Sequence, residues 1–161
     1  MKKIKLGGII EHTGLSLISI EDIPPHPGMA GLTFQSLSHR GINVEFIIQG
    51  QNQKGISQIL FCVARAKTEE VLVILNHIKS QIGDPVFTVH SEIAVVSIFG
   101  PHFREVPGIA GTFFSALNSR SINILAISTS ISTCSCVIPS SKLSEAIKAI
   151  GEVFDVPGEE G

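Results

Sequence analysis

One segment of this chain occurs twice. Residues 27–47 (PGMAGLTFQSLSHRGINVEFI) and 107–127 (PGIAGTFFSALNSRSINILAI) align without a gap and agree at 10 of 21 positions, where composition alone would give about one or two. A spacing of 80 residues is too long for a solenoid repeat, and two copies are too few. The pattern is that of a duplicated small domain. Within 161 residues each copy can build only a modest core. An apolar fraction of 43% against 16% charged residues points to apolar surface buried between domains or subunits.

Each copy reads as strand, helix, hairpin, helix, strand. Residues 15–20 alternate before Pro24, Pro25 and Pro27 stop the strand. Pro27 then suits the first turn of a helix whose apolar positions are Ala30, Thr33, Phe34 and Leu37, with Gly41 ending it. Residues 42–48 and 56–63 are β-branched and aromatic runs around a glycine-containing turn, the pattern of an antiparallel hairpin. Thr68 is placed to cap a second helix, with Glu69 and Glu70 at its positive end and Val71, Ile74, Leu75, Ile78 and Ile82 as its apolar stripe. Residues 86–90 close the unit. The order β-α-β-β-α-β is the ferredoxin-like topology, a four-stranded antiparallel sheet covered by two helices.

The second copy repeats this with strand 93–99, helix 107–119, hairpin strands 122–128 and 134–138, and helix 143–150. Its hairpin region is five residues shorter. Only residues 152–156 remain for a last strand, while the leading run 3–12 has no counterpart in the first copy. The expectation is an α+β chain with one domain at 13–90 and a second at 91–156, the latter completed by a strand from 3–12, and a polar tail at 157–161.

Chemistry-bearing patterns are sparse. A net charge of −2 with scattered lysines and arginines argues against nucleic acid or an anionic membrane as partner. No run approaches the roughly 20 apolar residues of a membrane span. The expectation is a cytoplasmic protein. Cys62, Cys134 and Cys136 form neither a disulfide framework nor a zinc motif. The six histidines make no HxH or HExxH pattern, so no metal ligands and no catalytic residues are assigned. What does recur is a loop ending in Pro-Gly at a helix start, Pro27-Gly28 and Pro107-Gly108. Free backbone N–H groups and a partial positive charge make such a start suited to a carboxylate.

Strand, Pro-Gly loop, helix and then Gly41-Ile42-Asn43-Val44 or Ser121-Ile122-Asn123-Ile124 resemble the ACT domain. Two such units, with Ser128-Thr129-Ser130 before a last helix, resemble more closely the regulatory half of aspartokinase and the small regulatory subunit that some bacteria make separately. The resemblance covers residues 15–156. It implies two ACT domains in tandem that bind an amino-acid effector, lysine, threonine or another, without other cofactor, in feedback control of aspartate-family amino-acid biosynthesis. It also implies a homodimer through the ACT domains and a separate aspartokinase catalytic chain as partner. Carried over by position, a first site comprises His26, Pro27, Gly28, Met29, Ala30, Asn43 and Gln49. A second comprises Ile109, Ala110, Asn123, Ser128, Thr129 and Ser130. Pro25 and Ile131 stand where family members often carry carboxylates, with Asp22 supplying one from a different position. The alternative expectation is a ligand-free ACT-type dimerisation or assembly module.

Overall fold

The computed structural model describes residues 2–158, so the last three residues of the polar tail lie outside the described residues. In chain order the elements are β1 (Ile4–Lys5), β2 (Gly8–Ile23), α1 (Met29–Ser38), β3 (Glu45–Gln51), β4 (Ser57–Ala64), α2 (Thr68–Ile78), β5 (Val86–Phe99), α3 (Ile109–Ser119), β6 (Ala126–Thr129), β7 (Thr133–Pro139), α4 (Leu143–Val153) and β8 (Phe154–Asp155). This is an α+β, ferredoxin-like arrangement of antiparallel strands and helices. The chain divides into two compact units. The first is Gly14–Ser91, and the second joins the residues before Gly14 to those from Glu92 onward. The long strands β2 and β5 each change unit at a residue with left-handed backbone, Gly14 (φ 68°) and Glu92 (φ 59°).

In the first unit the strand order is β3-β4-β2, with Leu15 facing Ala64 and Ile18 facing Phe61 in the antiparallel ladder. Ile18 and Ile20 of β2, Phe61 and Val63 of β4, Leu37 of α1 and Val71, Leu75 and Ile78 of α2 form one core. The helical spacing of the α2 positions turns them to the same side as the sheet's inward residues. Phe61 is fully buried and meets Phe34 edge-on, with ring centroids 5.3 Å apart at 77°. Full burial of a side chain of this kind contributes about 1.5–3 kcal/mol, and the ring pair about 1 kcal/mol more.

Several elements depart from the sequence pattern, among them the first hairpin strand of each unit, which in the second begins at Ala126 rather than at 122. The strand expected at 42–48 begins at Glu45, because the Ile42 N–H donates to the Leu37 carbonyl and its buried side chain seals the end of α1. Thr68 is the first residue of α2 rather than its cap, and its hydroxyl lies 2.8 Å from both the Arg65 carbonyl and the Ser16 hydroxyl. The hairpin turn is held by Asn52, whose Oδ1 accepts from the backbone N–H groups of Lys54 and Ile56 at 2.9 and 3.0 Å.

In the second unit the order is β5-β7-β6 in an unbroken antiparallel register, from Ile93 facing Pro139 to Phe99 facing Thr133. The leading segment belongs to it. β1 lies parallel to β8, the Leu6 N–H donates to the Asp155 carbonyl at 2.9 Å, and the Gly7 N–H donates to the Phe99 carbonyl at 2.7 Å. Leu6, 2% exposed, sits in a core with Phe113, Leu117, Ile150 and Phe154. The pair Gly7-Gly8 has a packing reason: a Cβ at either would stand 2.8 Å from the Phe99 ring. Lys3 Nζ donates to the Gly151 carbonyl at 2.8 Å, satisfying a carbonyl in the last turn of α4.

Candidate functional site

The first Pro-Gly loop borders a cleft of about 390 Å³. Its rim begins where β2 ends: Pro24 accepts a backbone bond from the His26 N–H at 2.8 Å, which turns the chain. Gly28 then adopts φ 95°, ψ −4° and starts α1 without any side-chain cap or acidic residue in the first turn. A residue with a Cβ is strained in that backbone region. The opening N–H groups of the helix are therefore left for an outside acceptor. His26 Nδ1 lies 2.9 Å from the Pro27 carbonyl. Since a carbonyl can only accept, the tautomer with Nδ1–H is the one that makes this bond.

Opposite the loop, the strand wall consists of two cross-strand pairs, Gln49 with Ile59 and Gln51 with Ser57. Gln51 Nε2 donates to the Gly55 carbonyl at 2.9 Å, which fixes the amide plane. Among the described residues no carboxylate lines this cleft. An adjoining cleft of about 410 Å³ shares Gln51 and Ser57 and contains Glu21 and Asp22. Glu21 is engaged by the Ser19 hydroxyl at 3.2 Å and the Gln58 amide at 3.3 Å.

Of the expected first set, His26, Pro27, Gly28, Met29, Ala30 and Gln49 line the one cleft. Asn43 does not; it is exposed between α1 and β3. Gln51 and Ser57 were not among the expected residues, although two-residue alternation from Gln49 puts Gln51 on the same face. The second loop repeats the backbone, with Gly108 at φ 90°, ψ −1° starting α3 uncapped. Its surroundings differ. Ile109 is buried in the core, and Phe103 and Val106 of the loop pack against that core. Ala110 is half-buried, Asn123 is exposed, Ser128 and Thr129 lie on β6, and the Ser130 N–H donates to the Thr133 carbonyl at 2.8 Å.

The cysteines offer no chemistry. Burial, and secondarily the charge of Glu45, raises the Cys62 thiol to about 12. Burial raises Cys134 to about 11. Cys136 is pushed up by burial and by its neighbour Cys134. Thiols of this kind are neither nucleophiles nor metal ligands near neutrality. No group of three or more metal-ligating side chains occurs among the described residues. No described helix is long and apolar enough to cross a membrane.

Residues 96–154 match the model of the ACT domain. The fold matches the ligand-free regulatory subunit of aspartate kinase from Thermus thermophilus with a TM-score of 0.84 and 31% identity, over 93% of this chain and 99% of that one. The chain belongs to the aspartokinase regulatory family. It also matches the aspartate kinase of Synechocystis, with a TM-score of 0.89 and 32% identity, over 100% of this chain and 29% of that one. The aspartokinase of Mycolicibacterium smegmatis is 28% identical over 99% of this chain. The chain spans 36–38% of the length of such curated aspartokinases. In this family the present chain corresponds to the regulatory part, and its residues include no kinase catalytic domain.

Proposed function

We propose that this chain is an allosteric regulatory module that binds an amino acid and conveys its concentration to an aspartate kinase. In this reading it consists of two ACT domains in tandem, residues 13–90 and 91–156, the second completed by 3–12. The observation that carries the reading is the cleft at the first loop, where the uncapped start of α1, an unobstructed Gly28 and a polar wall of Gln49, Gln51 and Ser57 converge. The effector's carboxylate meets the first N–H groups of α1, and Gly28 admits it because nothing lies within 4 Å of the position a Cβ would take. The α-ammonium is met by amide and backbone oxygens. The wall is neutral, so a cationic side chain such as that of lysine has to extend toward Glu21 and Asp22, whereas threonine is satisfied by neutral partners.

Regulation then follows from differential affinity of the effector for two arrangements of the module. The proposed partners are a second copy of this chain and a separate aspartokinase catalytic chain. The outer strands β3 and β6 carry exposed Ile47 and Ile127 at the same position of the repeat, which supports pairing through these edges.

A dye-reported thermal shift against the twenty amino acids tests the proposal, since the chain has no Trp or Tyr for intrinsic fluorescence. A ligand at about 100 times its dissociation constant adds roughly 2.7 kcal/mol, a shift of several degrees. A selective shift with lysine, threonine or another amino acid supports the sensor and names its effector. A flat panel at millimolar concentration sinks it in favour of an assembly module without ligand.

A further inference from the structure

A second binding site emerges from comparing the two copies. Arg40 and Arg120 occupy the same position of the repeat, just past the ends of α1 and α3. The inward positions Val71, Ile74, Leu75 and Ile78 of α2 correspond to Ala146, Ala149, Ile150 and Val153 of α4. That register sets His77 where the second copy has Glu152. In the second unit the Arg120 guanidinium donates to the Glu152 carboxylate, so the charge is answered within the fold. In the first unit an imidazole takes the carboxylate's place. The Arg40 guanidinium has no partner among the described residues.

That guanidinium lines a cavity of about 490 Å³ together with His39, His77 and Ser36, over an apolar floor of Ile74 and Ile78. The size is that of a small-molecule site. Glu70 also lines the cavity, with its carboxylate held by Lys67 Nζ at 3.1 Å. An arginine fork with two imidazoles and a hydroxyl is matched to an oxyanion, which takes two parallel N–H bonds from the guanidinium. The apolar floor adds affinity for a ligand that carries more than its charged group.

We propose that this cavity binds a small organic oxyanion, a phosphate monoester or a carboxylate with an apolar body, held by Arg40, His39 and His77. The site is separate from the Pro-Gly cleft and shares no lining residue with it. The test is an NMR titration of the whole chain, following the amides and the histidine side chains. The probes are phenyl phosphate in one arm and benzoate in the other, at ionic strength held constant with sodium chloride. Saturable shifts at His39 and His77 are expected, and the tighter probe tells phosphate from carboxylate recognition. His77→Glu rebuilds the pair seen in the second unit and weakens binding by roughly tenfold or more; Arg40→Gln does the same. Both side chains are exposed, so an unchanged amide spectrum elsewhere verifies the fold. The proposal is overturned by the absence of saturable shifts with both probes, by equal shifts with sodium sulfate, or by wild-type affinity in both variants.

Discussion

Gly28 and Gly108 have the same left-handed backbone and both start an uncapped helix, yet the cleft at the first is walled by the strand residues Gln49, Gln51 and Ser57, whereas the cavity at the second, about 540 Å³, runs along α3 beside Val153 of α4 and has no strand wall. At the first, His26 stays in solvent and Met29 is only half-buried. At the second, Val106 and Ile109 stand at those positions, and Phe103 joins them in packing on the core. The strands differ in the same sense. The first unit has register shifts between Ile20 and Ile23 and between Glu45 and Ile47, where Asp22 (φ 60°) and Phe46 (φ 56°) take left-handed conformations. The β5-β7-β6 ladders run with consecutive pairs. Bulges re-aim strand ends beside binding sites. Duplication thus preserved a backbone that can meet a carboxylate, while the side chains brought beside it differ between the copies.

The largest effect expected on this contrast comes from Leu6→Ala. Only the second unit draws the leading segment into its core, so the substitution costs about 2–5 kcal/mol. Hydrogen exchange should show lost protection around β5 and β7, with the α1–α2 core unchanged; equal loss in both would break the distinction. Gly28→Val and Gly108→Val come next. Each forces a β-branched residue into a left-handed conformation and costs about 1–3 kcal/mol by thermal denaturation. Only Gly28→Val should also abolish amino-acid binding, and equal loss from Gly108→Val would mean that the second loop is no less a site.

A smaller effect appears with pH. The folded Cys62 and Cys134 thiols stay protonated up to about 12 and about 11, while in the unfolded chain they ionise near the ordinary value of 9.0. Their contribution is therefore complete below pH 9 and is lost as pH rises toward 11–12. Denaturant midpoints measured across that range, with and without Cys62→Ala, test the sign. Smallest is Arg120→Ala, which removes an exposed pair with Glu152 and costs about 1 kcal/mol or less. Arg40→Ala should change stability less still, because no such pair exists in the first unit.

Much of this was legible in the residues. Ten shared positions, the Pro-Gly turns and the helical stripe from Val71 to Ile82 announced the repeated α+β plan, since glycine conformation and apolar periodicity are local properties. Six of the seven residues expected at the first site line one cleft, because five are consecutive in the loop and Gln49 sits on the strand opposite. Asn43 lies apart from that cleft for a local reason: Ile42 is taken up by the end of α1, which leaves Asn43 in an exposed link.

The sequence by itself determined two copies of one motif, the left-handed glycines that start their helices, and an arginine at the same place in each. Only the tertiary structure decided that the first loop is met by a polar strand wall while Phe103 and Val106 of the second pack on the core, and that Arg120 meets Glu152 while Arg40 lines a cavity with His39 and His77. Backbone preference is set by neighbours in the chain. Whether a space is empty or a charge is answered depends on side chains brought from distant positions.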